Sequence, residues 1–148
     1  MNQEQLRTIT VLQGKEKEVF RAVSLNDTRK CVEKIVHRLK GGDVLALSGN
    51  LGAGKTTFVQ MLGEELGTSA QITSPTFVLM KLYPLKKGLP MQTLCHIDAY
   101  RLSSSRDLEA IGAGDFIGDP TVVTCIEWPE RVAGIIPVDA IKISIVLQ

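Results

Sequence analysis

The sequence predicts an α/β fold with a mixed central sheet, and three features carry that prediction. A glycine-rich stretch, Gly49 to Thr57, lies between a short apolar run of strand type, Val44 to Ser48, and a segment with apolar residues at helical spacing, Phe58 to Leu66, that stops at Gly67. A continuous apolar run, Thr121 to Ile126, has the character of a central strand buried on both faces. Two further strand-like runs, Phe77 to Tyr83 and Met91 to Ile97, are joined by the turn-rich PLKKGLP, which predicts a hairpin and so an antiparallel pair within the sheet.

In chain order, Thr8 to Leu12 and Val19 to Val23 are short β-type runs around GKEKE, readable as a hairpin or as a partly disordered extension over residues 1–23. Ser24 with Asp27 three residues later marks a helix start, and Cys31, Val32, Ile35, Val36 and Leu39 then recur on one face up to Gly41 and Gly42. This helix delivers the chain to the strand before the glycine-rich loop. SPTF, Ser74 to Phe77, is a stiff polar corner that either merely turns the chain or touches a terminal phosphate; Thr76 lies within it. After HIDAYRL, SSSRDLEAIG predicts a short capped helix over Arg106 to Ile111. The last element, Ala140 to Leu147, sets Ile141, Ile143, Ile145 and Leu147 against Lys142, Ser144 and Val146, the pattern of a strand with one buried face.

The glycine-rich stretch reads GNLGAGKTT, with Gly49, Gly54, Lys55 and Thr56 in the fixed places of the phosphate-binding motif. The loop of Gly49, Asn50, Leu51, Gly52, Ala53, Gly54, Lys55, Thr56 and Thr57 is therefore expected to hold a nucleoside triphosphate. Its glycines open backbone conformations in which successive N–H groups converge on phosphate oxygens, and the helix that follows adds its positive dipole end. Lys55 would reach the β and γ phosphates, the Thr56 hydroxyl would ligand Mg²⁺, and Thr57 would turn to the α phosphate.

Such a loop needs a second metal holder, an acid at the carboxyl end of a neighbouring apolar strand. Asp98 follows the run ending at Ile97, and Glu127 follows the run ending at Ile126. Either could hold Mg²⁺ while the other orients the attacking water. His96 alternates with Ile97 and points into the core or towards the site. Trp128 is a packing anchor or a cover over the nucleotide. Arg101, Arg106 and Arg131 are possible stabilisers of a transferring phosphoryl group, with exposed surface arginine as the default for each.

The chain has 148 residues, long enough for one core and read as one domain over 1–148. A net charge of +1 gives no large basic surface for gripping nucleic acid unaided, so any role with RNA is expected to be indirect. No apolar stretch approaches the roughly 18 residues of a membrane span, and the N-terminus lacks a signal peptide's apolar region, which predicts a cytoplasmic protein with no membrane partner. Cys31, Cys95 and Cys125 are widely spaced among apolar residues, as expected of reduced buried thiols.

Four blocks in order, GNLGAGKTTF, SPTF, HIDAYRL and IEWPE, make the chain from about Ser24 to Leu147 resemble the bacterial TsaE family, the ATPase subunit of the machinery that makes threonylcarbamoyladenosine (t6A) in tRNA. The resemblance implies a P-loop NTPase-like, three-layer fold with a mixed, largely parallel sheet, binding of ATP and Mg²⁺, and association with subunits of the TsaB and TsaD type. Carried over by motif, Leu51 to Thr56 would embrace the phosphates, Thr56 and Glu127 would hold Mg²⁺, Asp98 would assist hydrolysis, and Trp128 would belong to the same site. Thr76 and Arg101, in the second and third blocks, stand as accessory positions. Position 50 is often Asp in relatives and is Asn50 here, one negative charge fewer beside the phosphates; many relatives also continue past the last strand with a further nucleotide contact.

The expected activity is Mg²⁺-dependent ATP binding with slow hydrolysis, accelerated by partner subunits, in t6A formation. The alternatives are a small-molecule kinase, which should carry a mobile arginine-rich lid that the sequence lacks, and a nucleotide-dependent interaction module with little hydrolysis, against which Lys55, Thr56 and two candidate acids argue.

Overall fold

A computed structural model describes residues 5–75 and 77–148 of the chain. Seven strands join one sheet: β1 (Arg7–Gln13), β2 (Glu16–Ala22), β3 (Val44–Ser48), β4 (Met80–Pro84), β5 (Thr93–Asp98), β6 (Val122–Glu127) and β7 (Ile141–Leu147), in the spatial order β2-β1-β7-β3-β6-β5-β4. The four central strands β7, β3, β6 and β5 run parallel, while β1 is antiparallel to β2 and β7, and β4 to β5. The sheet is thus α/β and mixed, and its parallel character is confined to the centre. The β1–β2 and β4–β5 pairs are antiparallel because each is a hairpin, whereas β1 meets β7 antiparallel from the opposite end of the chain.

The helices α1 (Leu25–Val36), α2 (Lys55–Glu65) and α3 (Ser105–Ala110) bury apolar stripes against this sheet. Cys31, Val32 and Ile35 of α1 and Phe58, Val59 and Leu62 of α2 pack in one cluster with Ile9, Leu45, Leu47, Val123, Ile143 and Ile145. Leu108 of α3 packs in a second cluster with Val44, Ile97, Val122 and Ile126. Neighbouring residues of one strand alternate between the two clusters, as the period-2 pleat requires, so the sheet lies between them. This is why β3 and β6 carry nearly continuous apolar runs.

Local signals set the element ends. The Ser24 hydroxyl accepts from Asp27 N at 3.2 Å and the Asp27 carboxylate accepts from Val23 N at 3.0 Å, which fixes the start of α1. Ser104 and Asp107 form the equivalent box on α3, and the bonds from Ser103 and Ser104 to the Asp107 carboxylate lower its pKa. The predicted strand from Phe77 starts only at Met80: Val78 N and Leu79 N donate to Pro75 O at 3.1 and 2.6 Å, and Leu79 takes φ 68°, so 77–79 is a turn. At the other end of the chain Ile141, Ile143 and Ile145 are buried as their alternation predicts, while Leu147 is exposed.

Residues 7–22 are the β1–β2 hairpin, turned at Gly14 with φ 61° and registered Ile9 against Ile145 and Val11 against Ile143 of β7. Ile9 and Val11 are core residues, so the hairpin is an integral margin of the sheet. All four parallel strands end at one edge, where a ligand crevice belongs in such a sheet.

Candidate functional site

At that edge β3 runs into the glycine-rich loop and α2 begins at Lys55, with Gly54 as its N-cap at φ 109°. A side chain at Gly54 would be strained in this left-handed region. Gly49 has a different reason to lack one: a Cβ there would sit 2.7 Å from Ile145 O of β7. The loop therefore hugs the end of the neighbouring strand and turns back over it.

A pocket of about 310 Å³ opens above the loop, lined by Asn50, Leu51, Gly52, Gly54, Lys55, Thr56 and Thr57 on one side and by Ser74, Asp98, Tyr100, Glu127 and Trp128 on the other. Asp98 ends β5 and Glu127 ends β6, and they are direct register partners on adjacent parallel strands. Both are nearly buried. Asp98 Oδ1 accepts from Tyr100 N at 2.9 Å.

Glu127 is held between two groups. His96 Nε2, fully buried on β5, lies 2.6 Å from Glu127 Oε2, and Thr56 Oγ1 makes a long 3.4 Å contact with Glu127 Oε1. The two readings of His96, core or site, thus merge: it is a buried residue whose partner is the site acid. One carboxylate oxygen is committed to the imidazole and the other faces the Thr56 hydroxyl.

That pair of hard oxygen donors fits Mg²⁺, which characteristically takes one or two protein ligands and completes its octahedron with phosphate oxygens and water.

Lys55 is only 5% exposed, although a lysine tip in this motif would be expected to reach solvent or phosphate. Its Nζ donates to Gly49 O, and to Asn50 O at 3.3 Å, and lies 3.9 Å from the centroid of the Trp128 ring. Burial lowers its pKa, while Glu127, Glu130 and Asp98 act in the opposite direction. Trp128 is at φ 60°, ψ 50°, a conformation disfavoured for a bulky residue and typical of strained functional positions. Pro129 follows as the first residue of a 3₁₀ turn, Pro129–Ile135, which turns the chain off β6. The Trp128 ring also meets Tyr100 at 5.0 Å with an interplanar angle of 50°.

Of the residues of the glycine-rich loop, Gly49 and Ala53 lie outside this pocket lining: both border a second hollow with Ser144 to Leu147, and Ala53 is nearly buried there. Arg101 is exposed, with its guanidinium 4.6 Å from the Phe77 ring, and is not in the lining. Arg131 lies 5.3 Å from the Tyr100 ring, at the rim, and Arg106 is exposed on α3. Thr76 lies outside the described residues. Ser74, at the start of the SPTF corner, lines the pocket; Tyr100 lines it too without having been assigned a role, and its spacing two residues after Asp98 was the available signal.

Comparison with known proteins comes to the same place. The family described as "Threonylcarbamoyl adenosine biosynthesis protein TsaE" matches residues 22–148. A protein of Treponema pallidum named "tRNA threonylcarbamoyladenosine biosynthesis protein TsaE" is 41% identical over 122 residues, covering 82% of this chain and 86% of its own. One of the same name from Streptomyces coelicolor is 42% identical over 104 residues, covering 69% of this chain and 67% of its own. Among solved structures, Bacillus subtilis YdiB superposes with a TM-score of 0.61 at 25% identity, covering 98% of this chain and 80% of that one. That superposition takes in the N-terminal hairpin, which the family match leaves out.

Proposed function

Because the chain belongs to the TsaE family, we propose that it acts in threonylcarbamoyl modification of tRNA adenosine as a Mg²⁺-dependent ATPase driven by partner subunits of the TsaB and TsaD type. The observation that carries the ATPase reading is the convergence of Lys55, Thr56, Asp98 and Glu127 on one pocket over a glycine-rich loop. Loop amides and the α2 N-terminus bind the triphosphate, and Lys55 leaves the carbonyls of Gly49 and Asn50 for the β and γ phosphates. Thr56 and Glu127 would hold Mg²⁺, which would supply neutralisation of the charge that the triphosphate brings. His96 orients Glu127 for that role.

Hydrolysis is an in-line displacement. A water oxygen forms the new bond to the γ phosphorus, the bond to the β–γ bridging oxygen breaks with its electron pair leaving on ADP, and the water's proton ends on phosphate or solvent. Asp98 orients the water, being buried at the pocket wall beside Glu127. Tyr100 and Trp128 shield this wall from bulk water. No arginine lines the pocket among the described residues, so turnover by the isolated chain should be slow, on the order of 10⁻⁴ to 10⁻² per second, with partners supplying or ordering the missing charge. Binding to tRNA would be indirect, through those partners, and the place of action is the cytoplasm, where tRNA and ATP meet. No described helix is long and apolar enough to cross a membrane.

The test is an ATPase assay in three stages: ATP alone, ATP with candidate small-molecule acceptors, and ATP with purified TsaB-type and TsaD-type proteins. Stimulation by the partners supports the proposal. Phosphoryl transfer to an acceptor would make the chain a kinase, and tight ATP binding with no turnover in any stage would make it an interaction module.

A further inference from the structure

Arg7 stands at the start of β1, outside the residues matched by the family, and is 1% exposed. It shares the face of β1 with Ile9 and Val11, whose partners on β7 are Ile145 and Ile143, so its side chain emerges on the side of the sheet covered by α2. There its Nε donates to Ala53 O at 2.9 Å, and one terminal nitrogen donates to Gln5 O at 3.1 Å. Burial lowers the guanidinium pKa, but an arginine starts so high that the group stays charged at any working pH. A cation is therefore held beneath the phosphate loop, 46 positions away in sequence.

The bond acts on one peptide plane. Ala53 C=O and Gly54 N–H belong to the same trans peptide, so they point in opposite directions. Ala53 is buried below the loop, whereas Gly54 lines the pocket above it. Fixing the carbonyl downwards aims the Gly54 amide upwards, where an anion would be received. A charged donor on the carbonyl also polarises the peptide, which makes its N–H a stronger donor. Gly54 at φ 109° has no side chain to resist rotation of this plane, so the outside clamp has something to hold.

We propose that Arg7 is a positioning residue for nucleotide binding: through Ala53 O it locks the peptide between Ala53 and Gly54 with its amide facing the phosphates, making the N-terminal hairpin part of the nucleotide site. The inference rests on the reading of the pocket as a triphosphate site for its binding test, while its structural test does not.

The experiment compares wild type with Arg7→Gln, Arg7→Lys and Ile9→Val. Arg7→Lys keeps a charge and an apolar stem but has no Nε–H, and carries the comparison should Arg7→Gln not fold. Ile9→Val thins the same strand two residues on and controls for general loss of strand stability. In nucleotide-free protein, NMR should show the amide signals of Gly52, Gly54 and Lys55 moving or broadening in both Arg7 variants and staying in place in Ile9→Val. Calorimetric titration with Mg-ATP should show affinity weakened on the order of tenfold in the Arg7 variants, as for loss of one charge-assisted bond, and unchanged in Ile9→Val. Unmoved loop amides in the Arg7 variants, or equal effects in Ile9→Val, would overturn the proposal. Wild type that binds no nucleotide would overturn the triphosphate reading instead, and the loop amides would still decide the role of Arg7.

Discussion

His96 Nε2 lies 2.6 Å from Glu127 Oε2 across the β5–β6 pair, with the imidazole fully buried and the carboxylate nearly so. The bond uses one oxygen of the acid and leaves the other turned to Thr56 Oγ1. Removing the imidazole frees the carboxylate to rotate and leaves it short of a buried partner. We expect His96→Ala to lower stability by about 1–3 kcal/mol, the cost of an unsatisfied buried group. If Glu127 holds Mg²⁺, the same change should weaken Mg²⁺-dependent ATP binding by about 10- to 100-fold, as outer partners of metal ligands do, with a smaller loss in His96→Gln. Titrations with ATP at several Mg²⁺ concentrations check this. A variant that is destabilised but keeps its Mg²⁺ dependence would make His96 a purely structural partner.

Trp128 is the single tryptophan of the chain, and Lys55 Nζ sits 3.9 Å from its ring centre. Departure of the cation towards a phosphate must change the electrostatic environment of the indole. Addition of ATP should therefore shift the intensity or wavelength of intrinsic fluorescence. Lys55→Ala should lose that response along with affinity, by about 10- to 100-fold for its charge-assisted bonds. Because Lys55 is buried and held by two loop carbonyls, the variant should also lose some thermal stability, unlike an exposed lysine. Constant emission at ATP concentrations that calorimetry finds saturating would refute the movement of Lys55.

Burial pushes the Cys31 and Cys95 thiols up from 9.0 to about 12, and that of Cys125 well above its ordinary value. A thiol whose folded pKa is raised stabilises the protein fully below the unfolded value and loses that contribution as pH rises through the folded one. For Cys31 and Cys95 the window runs from about 9 to about 12. Unfolding free energy should fall through the lower part of this window, by on the order of 1 kcal/mol per pH unit for each thiol at most, and Cys31→Ala should show a shallower slope. Thiol reagents at pH 8 should react slowly with native protein and with all three cysteines once it is unfolded. Rapid labelling of the native state would contradict the burial of the thiols.

Much of the fold was legible because its signals are local. The β3–loop–α2 unit has an apolar run, fixed glycines and a helical stripe within 23 residues of sequence, Val44 to Leu66, and the caps at Ser24 and Ser104 need only four residues each, Ser24 to Asp27 and Ser104 to Asp107. The strand pairing was not local. Asp98 and Glu127 could each be placed at a strand end, but only the register of β5 beside β6 makes them neighbours and gives His96 its partner. The motif places the Lys55 tip in solvent or on phosphate, and nothing near it in sequence foretells its cover, because that ring comes from Trp128, beyond another strand. The hairpin carried no motif, so nothing in its sequence pointed to the bond between Arg7 and Ala53. Contacts of this kind depend on topology, to which spacing along the chain is blind.

The two acids should divide binding from turnover. Glu127, with one oxygen against Thr56, is the better placed to hold Mg²⁺, and the cation offsets much of the charge that a triphosphate brings into the loop. Glu127→Ala should therefore weaken Mg²⁺-dependent ATP binding as well as hydrolysis. Asp98, fixed by Tyr100 N and facing the same pocket, is assigned to the attacking water. Its loss should leave ATP affinity nearly unchanged and lower the rate by about 10² to 10³, as for other single transition-state contacts. ATP affinity with and without Mg²⁺, and single-turnover hydrolysis in the presence of partner subunits, separate the cases. Should Asp98→Ala lose its Mg²⁺ dependence while Glu127→Ala retains it, the metal acid is the one on β5, and the contact between Thr56 and Glu127 is a structural bond rather than half of a metal site.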